Sequence, residues 1–357
     1  MEQKNGSFNL LVSRRFLSEQ RNGISRDAKS IISALKRHQE ISLFELESST
    51  NIQGGFFARI FRLFKTVVFR KPTFYESESY YSFIPQLQNM LPSKHSTAFI
   101  RIHDVFPVSN PGWYRLLTAM SFRITLNCAV LNNHTFICNS FYTKNQLSKY
   151  YPSAKAEVLY CFPEKITFIS CSNCQYCENS SAFEYPFFLS VGTIEPRKNY
   201  LSLVAAWKQV GDVTGSKFIV VGKKGWKSNR TYSKLKNLSN LLYLENVCDF
   251  GVSELISKSE VLVSFSFDEG FNYPAMDAAL GGKPLLLSDI PVHRELYGNS
   301  PMYFEVANPD ALVNALLRIK LNRVIISDEF SDHVKNFDNK LKDIIFDNCS
   351  NELNITK

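Results

Sequence analysis

Short apolar runs of strand length recur along this chain, and polar turns and helical patterns follow them. Phe8–Val12 is the first such run. After the turn Arg21-Asn-Gly-Ile-Ser-Arg-Asp27, the residues Ile24, Ala28, Ile31, Ile32 and Leu35 fall at helical spacing. Ser96–Ile102 and Thr135–Cys138 read as further strands. Asn139–Lys144 opens a helix with Ser140 as its N-cap, and Ala156–Tyr160 closes the first half. The second half repeats the pattern. Pro186–Gly192 is followed by the turn Thr193–Asn199 and a helix from Tyr200 to about Val210. Lys217–Gly222, Leu241–Leu244, Glu260–Phe267 and Leu285–Leu287 are the next strands. Strands alternating with helices predict parallel sheets covered by helices on both faces. In the tail, Phe330, Val334, Phe337, Leu341, Ile344 and Ile345 lie at helical spacing.

One stretch organises the second half. Asp268-Glu-Gly-Phe-Asn-Tyr-Pro-Ala-Met-Asp-Ala-Ala279 follows a strand, makes an acidic turn and begins a short helix. Pro274 suits the first position of that helix, where a missing N–H costs nothing. Gly281 or Gly282 suits the left-handed residue that ends it. A helix start beyond the carboxyl end of a strand is where open α/β sheets bind phosphorylated ligands. Glu269 in the turn and Asp277 one turn into the helix would repel phosphate, so sugar or ribose hydroxyls are the partners that justify them. Each acid also has an ordinary reading, as a solvated turn residue or a first-turn helix residue favoured by the dipole. Arg197 and Lys198 stand just before another helix start, where cation and dipole together favour a diphosphate. His103 stands at the carboxyl end of a strand with Asp104 next to it, a neighbour able to set its tautomer. Gly23 marks a turn whose backbone N–H groups can approach an anion.

At 357 residues the chain exceeds one ordinary core and suits two domains. Hydrophobic residues make up 45% and charged ones 21%, which excludes a disordered chain. The segment Met1–Gly6 has no basic stretch leading into an apolar one, so no signal peptide is expected. The eight cysteines then read as reduced thiols. A net charge of +8 favours anionic partners. Neither zinc-finger spacing nor an RNP-like aromatic motif occurs, so nucleic acid is not expected.

Two segments stand apart by composition. In Gly54–Lys71, Phe57, Ile60, Phe61, Phe64, Val67 and Val68 share one helical face, while Arg59, Arg62, Lys65 and Arg70 share the other. This is the pattern of an interfacial membrane helix, and equally of a surface helix with its basic side in water. Cys171, Cys174 and Cys177 have metal-like spacing, but no fourth ligand stands at a usual distance, so a thiol-bearing polar loop is the reading and no metal is expected.

With these pieces in place, the chain resembles glycosyltransferase family 4. Glu269-Gly-Phe-Asn-Tyr-Pro-Ala-Met-Asp277 resembles that family's E-x7-E signature, and Val191-Gly-Thr-Ile-Glu-Pro-Arg-Lys-Asn199 its phosphate loop. Gly282–Glu295 resembles the segment that follows, Arg101–Pro107 the H-D loop, and Asn22–Arg26 the N-terminal glycine loop. The matches span nearly the whole chain in order, more loosely in the first half. The resemblance implies an α/β architecture of the GT-B type: two facing Rossmann-like, doubly wound domains. Residues 1–175 would form the acceptor side and 182–329 the nucleotide-sugar side, with a final helix, about 330–357, crossing back to the first.

The implied activity is transfer of a hexose from a nucleotide-sugar with retention of configuration and without a metal or other cofactor. Arg197 and Lys198 would neutralise the leaving diphosphate. Glu269 would hold donor-sugar hydroxyls, Asp277 the ribose, and His103 the donor sugar near the reacting carbon. Gly23 would admit the diphosphate, and Gly270, Phe271, Asn272 and Val247 would complete the donor site. The form of the motifs favours GDP-mannose as donor. The implied acceptor is a polyprenyl-diphosphate-linked saccharide at an anionic membrane, in O-antigen or capsule synthesis, with the protein cytoplasmic and peripheral on the inner face. Two departures stand out: Asp277 replaces a glutamate and Asn272 a glycine. They keep open a catalytically impaired scaffold, beside a GT-B epimerase or phosphorylase. If the helix containing Arg59, Arg62, Lys65, Phe61 and Phe64 docks on membranes, reversing the three cations to glutamate abolishes co-sedimentation with acidic liposomes; unchanged binding rejects the docking.

Overall fold

The computed structural model of the chain describes residues 8–13, 23–38, 41–46, 80–84, 86–87, 98–162, 183, 185–319 and 326–353. The aromatic and basic segment with Arg59, Arg62, Lys65, Phe61 and Phe64, and the trio Cys171, Cys174 and Cys177, lie outside the described residues. The chain divides into two compact units, Met1–Phe162 with His333–Lys357, and Pro163–Asp332.

The first unit holds β1 (Phe8–Ser13), α1 (Gly23–Leu35), β2 (Ile41–Leu46), β3 (Tyr80–Ile84), β4 (Ala98–Ile102), α2 (Phe106–Ser109), α3 (Leu116–Leu131), β5 (Thr135–Cys138), α4 (Phe141–Tyr150) and β6 (Lys155–Val158). Its six strands lie in the order β2-β1-β3-β4-β5-β6, all parallel. Every residue of β4 is buried, because helices cover both faces. Strand alternation divides its side chains. Ala98, Ile100 and Ile102 pack with Phe122, Leu126 and Phe136, while Phe99 packs with Ile31, Leu35 and Ile137. Ser140 caps α4 as its residue type predicts, its hydroxyl accepting from the Thr143 N–H at 3.0 Å.

The second unit holds β7 (Phe187–Val191), α5 (Tyr200–Val210), β8 (Lys217–Val221), α6 (Asn229–Lys236), β9 (Leu241–Leu244), α7 (Asp249–Lys258), β10 (Val261–Ser264), α8 (Tyr273–Leu280), β11 (Leu285–Ser288), α9 (Pro291–Tyr297), β12 (Met302–Phe304) and α10 (Pro309–Leu317). Here the order is β12-β11-β10-β7-β8-β9, again all parallel. Numbered within the unit this is 3-2-1-4-5-6, the doubly wound arrangement. The strand order reverses between β7 and β10, so the loops leaving these two strands border one crevice. Gly222, at the end of β8, lets the loop after β7 approach, since a Cβ there would stand 1.9 Å from the Gly192 carbonyl oxygen. Strand β10 ends at Ser264 and not at Phe267, which leaves Phe265–Asn272 as an irregular loop.

The helical pattern of the tail forms two helices, α11 (Asp328–Lys335) and α12 (Phe337–Leu353). The ring of Phe330 lies 5.8 Å from that of Phe271 in the second unit. From His333 the chain belongs to the first unit, where Phe337, Leu341 and Ile345 join the core of Leu10, Ile31 and Leu35. The final helix thus returns to the N-terminal unit, and Arg37 grips Asp338 through two hydrogen bonds of 2.7 Å. None of the helices of the described residues is long and apolar enough to cross a membrane.

Leu341 is fully buried. Leu341→Ala removes that packing and lowers the stability of the first unit by about 2–5 kcal/mol. Chemical denaturation followed by circular dichroism measures it; a change near zero would mean that the last helix contributes no core.

Candidate functional site

The loop after β7 brings its cations inward through local geometry. Pro196–Lys198 form a single 3-10 turn, and Asn199 takes a left-handed conformation (φ 53°) as the cap of α5. Asparagine tolerates that region better than most residues, because its short polar side chain bonds locally. Its Oδ1 accepts from the Ser202 hydroxyl at 2.8 Å. The loop after β10 meets this turn through the backbone, with the Phe267 N–H donating to the Arg197 carbonyl at 2.9 Å.

Between the two loops lies a compact ion-pair cluster. Lys198 Nζ donates to Glu269 Oε1 at 2.5 Å, and Arg197 Nη1 to Glu269 Oε2 at 2.5 Å. Arg197 Nη1 also donates to the Asp268 carbonyl at 2.8 Å, and its Nη2 to Glu195 Oε1 at 2.8 Å. The Ser266 hydroxyl donates to Glu269 Oε1 at 2.6 Å. Glu269 is only 4% exposed. Burial acts to raise its pKa, but the adjacent Arg197 and Lys198 charges, with the Lys198 and Ser266 hydrogen bonds, outweigh burial and hold the carboxyl well below the carboxylate range. Glu195 goes the other way. Burial pushes it up against the pull of Arg197 and Lys198, and the nearby Glu269 adds to the rise. The four groups carry no net charge when all are ionised, so an incoming anion must draw the cations from their carboxylates.

Glu195 is the member that the sequence reading passed over. Its only sequence signal is its place beside Arg197 and Lys198 in the same turn.

The other expected donor residues spread along the same unit. Gly270, Phe271 and Asn272 are buried in the loop after Glu269. Asn272 caps α8 in a left-handed conformation (φ 67°), so the helix begins at Tyr273 and Pro274 takes its second position, one later than expected, where the N–H still has no intrahelical partner to lose. Gly282 supplies the left-handed residue after the helix (φ 71°). Asp277 is half-buried on α8. Burial, followed by the Asp277 charge, holds the Tyr297 hydroxyl well above its usual pKa. Val247 follows edge strand β9, separated from β7 by β8, and is not part of the ion-pair cluster.

A second buried cluster occupies the first unit. Arg101 on β4 donates from Nε and Nη2 to the two oxygens of Asp27 on α1, at 2.7 and 3.0 Å. Its Nη1 donates to the Leu159 carbonyl at 2.6 Å, and its Nη2 faces Cys161 Sγ at 3.5 Å. His103 Nε2 lies 3.7 Å from Asp27 Oδ2. Asp27 therefore sets a carboxylate against the His103 ring, and Asp104 accepts from the Phe106 N–H at 3.2 Å. Asp27 thus reaches the His103 ring from another element. Burial raises the Asp27 pKa, Arg101 and His103 lower it, and the balance lies below the usual value. Gly23 is the first residue of the helix that carries Asp27. Asp27, His103 and Cys161 offer metal-type ligand atoms within 4.8 Å of one another. Arg101, bonded to both Asp27 oxygens and facing the sulfur, already supplies the positive charge a metal would bring.

Residues 185–322 match the family described as Glycosyl transferases group 1. The serotype-specific mannosyltransferase WbdA of Escherichia coli is 25% identical over 257 residues, 65% of this chain and 31% of that protein. The chain thus spans about a third of WbdA. The O-antigen chain mannosyltransferase RfbU of Salmonella typhimurium (strain LT2) is 26% identical over 253 residues, 70% of this chain and 66% of that protein. Among solved structures, a sucrose-phosphate synthase from Thermosynechococcus elongatus superposes over 98% of this chain and 100% of its own, with a TM-score of 0.62 and 13% identity. Anabaena HepE in complex with UDP and glucose covers 94% of each chain, with a TM-score of 0.57 and 12% identity. These likenesses establish the GT-B fold class.

Glu269 contributes to the acid limb of stability. Its folded pKa is depressed, so its contribution is complete above the unfolded value of about 4.3 and is lost as pH falls through the folded value. Glu195, with a raised pKa, has the opposite sign: its cost above the folded value fades on acidification. Thermal midpoints should begin to fall below about pH 6.5, where the unfolded chain protonates histidines that burial keeps neutral at His293 and His333, and should fall further below about pH 5 as Glu269 loses its advantage; Glu269→Gln should flatten only the lower part. Glu269→Ala strands two mostly buried cations and costs about 3–5 kcal/mol. A variant as stable as the parent in urea would show that the ion pairs contribute nothing.

Proposed function

We propose that this chain, whose residues 185–322 match the glycosyl transferases group 1 family, is a retaining hexosyltransferase of family 4 that uses a nucleotide-sugar without a metal. The observation that carries this reading is the meeting of Arg197, Lys198 and Glu269 where the strand order of the second sheet reverses. At such a point an open α/β sheet offers a crevice for a nucleotide. Two cations there can leave Glu269 for a diphosphate and stabilise it as a leaving group. The released Glu269 is then available to sugar hydroxyls as an acceptor. Asp277, one turn into the adjoining helix, is the group we assign to the ribose.

Asn272 weighs against the impaired-scaffold alternative. It holds the left-handed backbone that a glycine would hold at this place, so the loop keeps its course. GDP-mannose is the favoured donor, since WbdA and RfbU are mannosyltransferases. RfbU acts on an O-antigen chain by its name, which supports a saccharide acceptor for this chain too. A polyprenyl-diphosphate-linked acceptor on the inner face of an anionic membrane fits the chain's net charge of +8.

A thermal-shift panel with GDP, UDP, dTDP, ADP and CMP, without and with magnesium, tests the reading. A nucleotide at 100 times its Kd stabilises the folded state by about 2.7 kcal/mol. The expected result is a selective shift with GDP that magnesium leaves unchanged and Lys198→Ala abolishes. No shift with any nucleotide would reject a nucleotide-sugar enzyme, and a shift that requires magnesium would reject metal independence.

A further inference from the structure

We propose that Asn272 and His293 are positioning residues for Glu269, acting through a chain of buried hydrogen bonds whose donors and acceptors are fixed from both ends. The chain begins at the Ser288 carbonyl, which lies 2.8 Å from His293 Nδ1. A carbonyl can only accept, so Nδ1 carries the proton. In a neutral ring Nε2 then accepts, and its partner is Asn272 Nδ2 at 2.9 Å. The second hydrogen on Asn272 Nδ2 goes to Ser264 Oγ at 3.0 Å. Ser264 Oγ lies 3.4 Å from Ser266 Oγ. Ser266 spends its single proton on ionised Glu269, which leaves the Ser264 proton for Ser266. The directions diverge at Asn272, whose amino group donates one hydrogen back to His293 and the other toward Ser264, and from Ser264 onward each donor points toward Glu269 Oε1, the oxygen that also holds Lys198. Each member is nearly sealed from water: His293 and Ser288 are 0% exposed, Ser266 1%, Asn272 6% and Ser264 8%.

Asn272 is needed in this chain for its side chain, because its left-handed backbone would suit glycine equally well. The side chain bridges Ser264 at the end of β10 to His293 on α9, on either side of the loop that carries Glu269. The chain also requires a neutral His293. Burial, opposed by the Ser288 bond, brings its pKa to about 4; Glu269, Lys198 and Asp289 act on the ring, and Tyr297 packs beside it. A protonated ring would turn Nε2 into a donor facing the Asn272 amino group. The amide must then flip, and its oxygen accepts from both Nε2–H and the Ser264 hydroxyl. That withdraws the Ser264 proton from Ser266 and releases the hydroxyl that holds Glu269. Asn272→Asp imposes the same reversed pattern at neutral pH, because a carboxylate only accepts.

The kinetic arm of the test rests on the proposed donor chemistry; the spectroscopic arm does not. Long-range proton–nitrogen NMR of the labelled full chain should show His293 as the Nδ1–H tautomer, neutral down to about pH 4. Asn272→Asp should raise its midpoint by about two units, a hundredfold gain in proton affinity. An Nε2–H tautomer, or an unmoved midpoint, would overturn the chain. With GDP-mannose as probe, Asn272→Gly and Ser264→Ala should lower kcat about tenfold while KM and GDP affinity stay within about threefold, as loss of alignment demands. Ser264→Thr, which restores the hydroxyl, should recover most of the loss. Parental kcat in Asn272→Gly and Ser264→Ala would remove the positioning role even if the hydrogen bonds are as described. A parent that neither binds GDP nor consumes GDP-mannose would instead reject the reading under Proposed function, and the NMR result alone would then decide the chain.

Discussion

The second unit depends on one buried carboxylate. Glu269 lies in a loop with no regular structure of its own, yet two cations from another loop converge on it at 2.5 Å. An ionised carboxyl this far from water is costly unless paired and hydrogen-bonded, and Glu269 is both. The loops after β7 and β10 are therefore held together by the charges a diphosphate would engage. Binding energy and loop order draw on the same residues, and a ligand must replace those ion pairs with contacts of its own.

The first unit meets a similar demand with different chemistry. Arg101 extends from a fully buried strand and finds Asp27 and the carbonyls of Cys138 and Leu159. A planar guanidinium with five donors serves a buried carboxylate and several carbonyls at once, which a lysine at this position would not. His103, two residues further along the same strand end, shares the Asp27 carboxylate. In both units, charge gathers at the carboxyl ends of central parallel strands, where helices cover the sheet but the backbone leaves it.

The departure at Asn272 gains a physical meaning from its neighbours. By motif it is an asparagine where glycine is usual. In the fold it keeps glycine's backbone conformation and adds two donor hydrogens to a buried polar path. Such a path is stabilising only when each member is satisfied, and here each donor in it meets an acceptor.

Much of this was legible along the chain. The alternation of apolar runs with helical patterns determined two parallel α/β units, since a strand buried on both faces must be apolar throughout. Local residue chemistry determined the Ser140 cap, Pro274 in the first turn of α8 and the glycine after it. The clustering of Arg197 and Lys198 before a helix, and of Glu269 before another, marked the site, because the ends of parallel strands share one edge. Only the tertiary structure decided which partners these groups take. Strands β2 and β3 left too faint a pattern to read and emerged only through pairing with β1 and β4. Asp27 came to His103 from another element, Glu195 joined the cation turn, and His293 met Asn272 across 21 positions. A sequence carries spacing within an element, but contacts between elements depend on sheet order and on the way burial forces each polar group to find a partner.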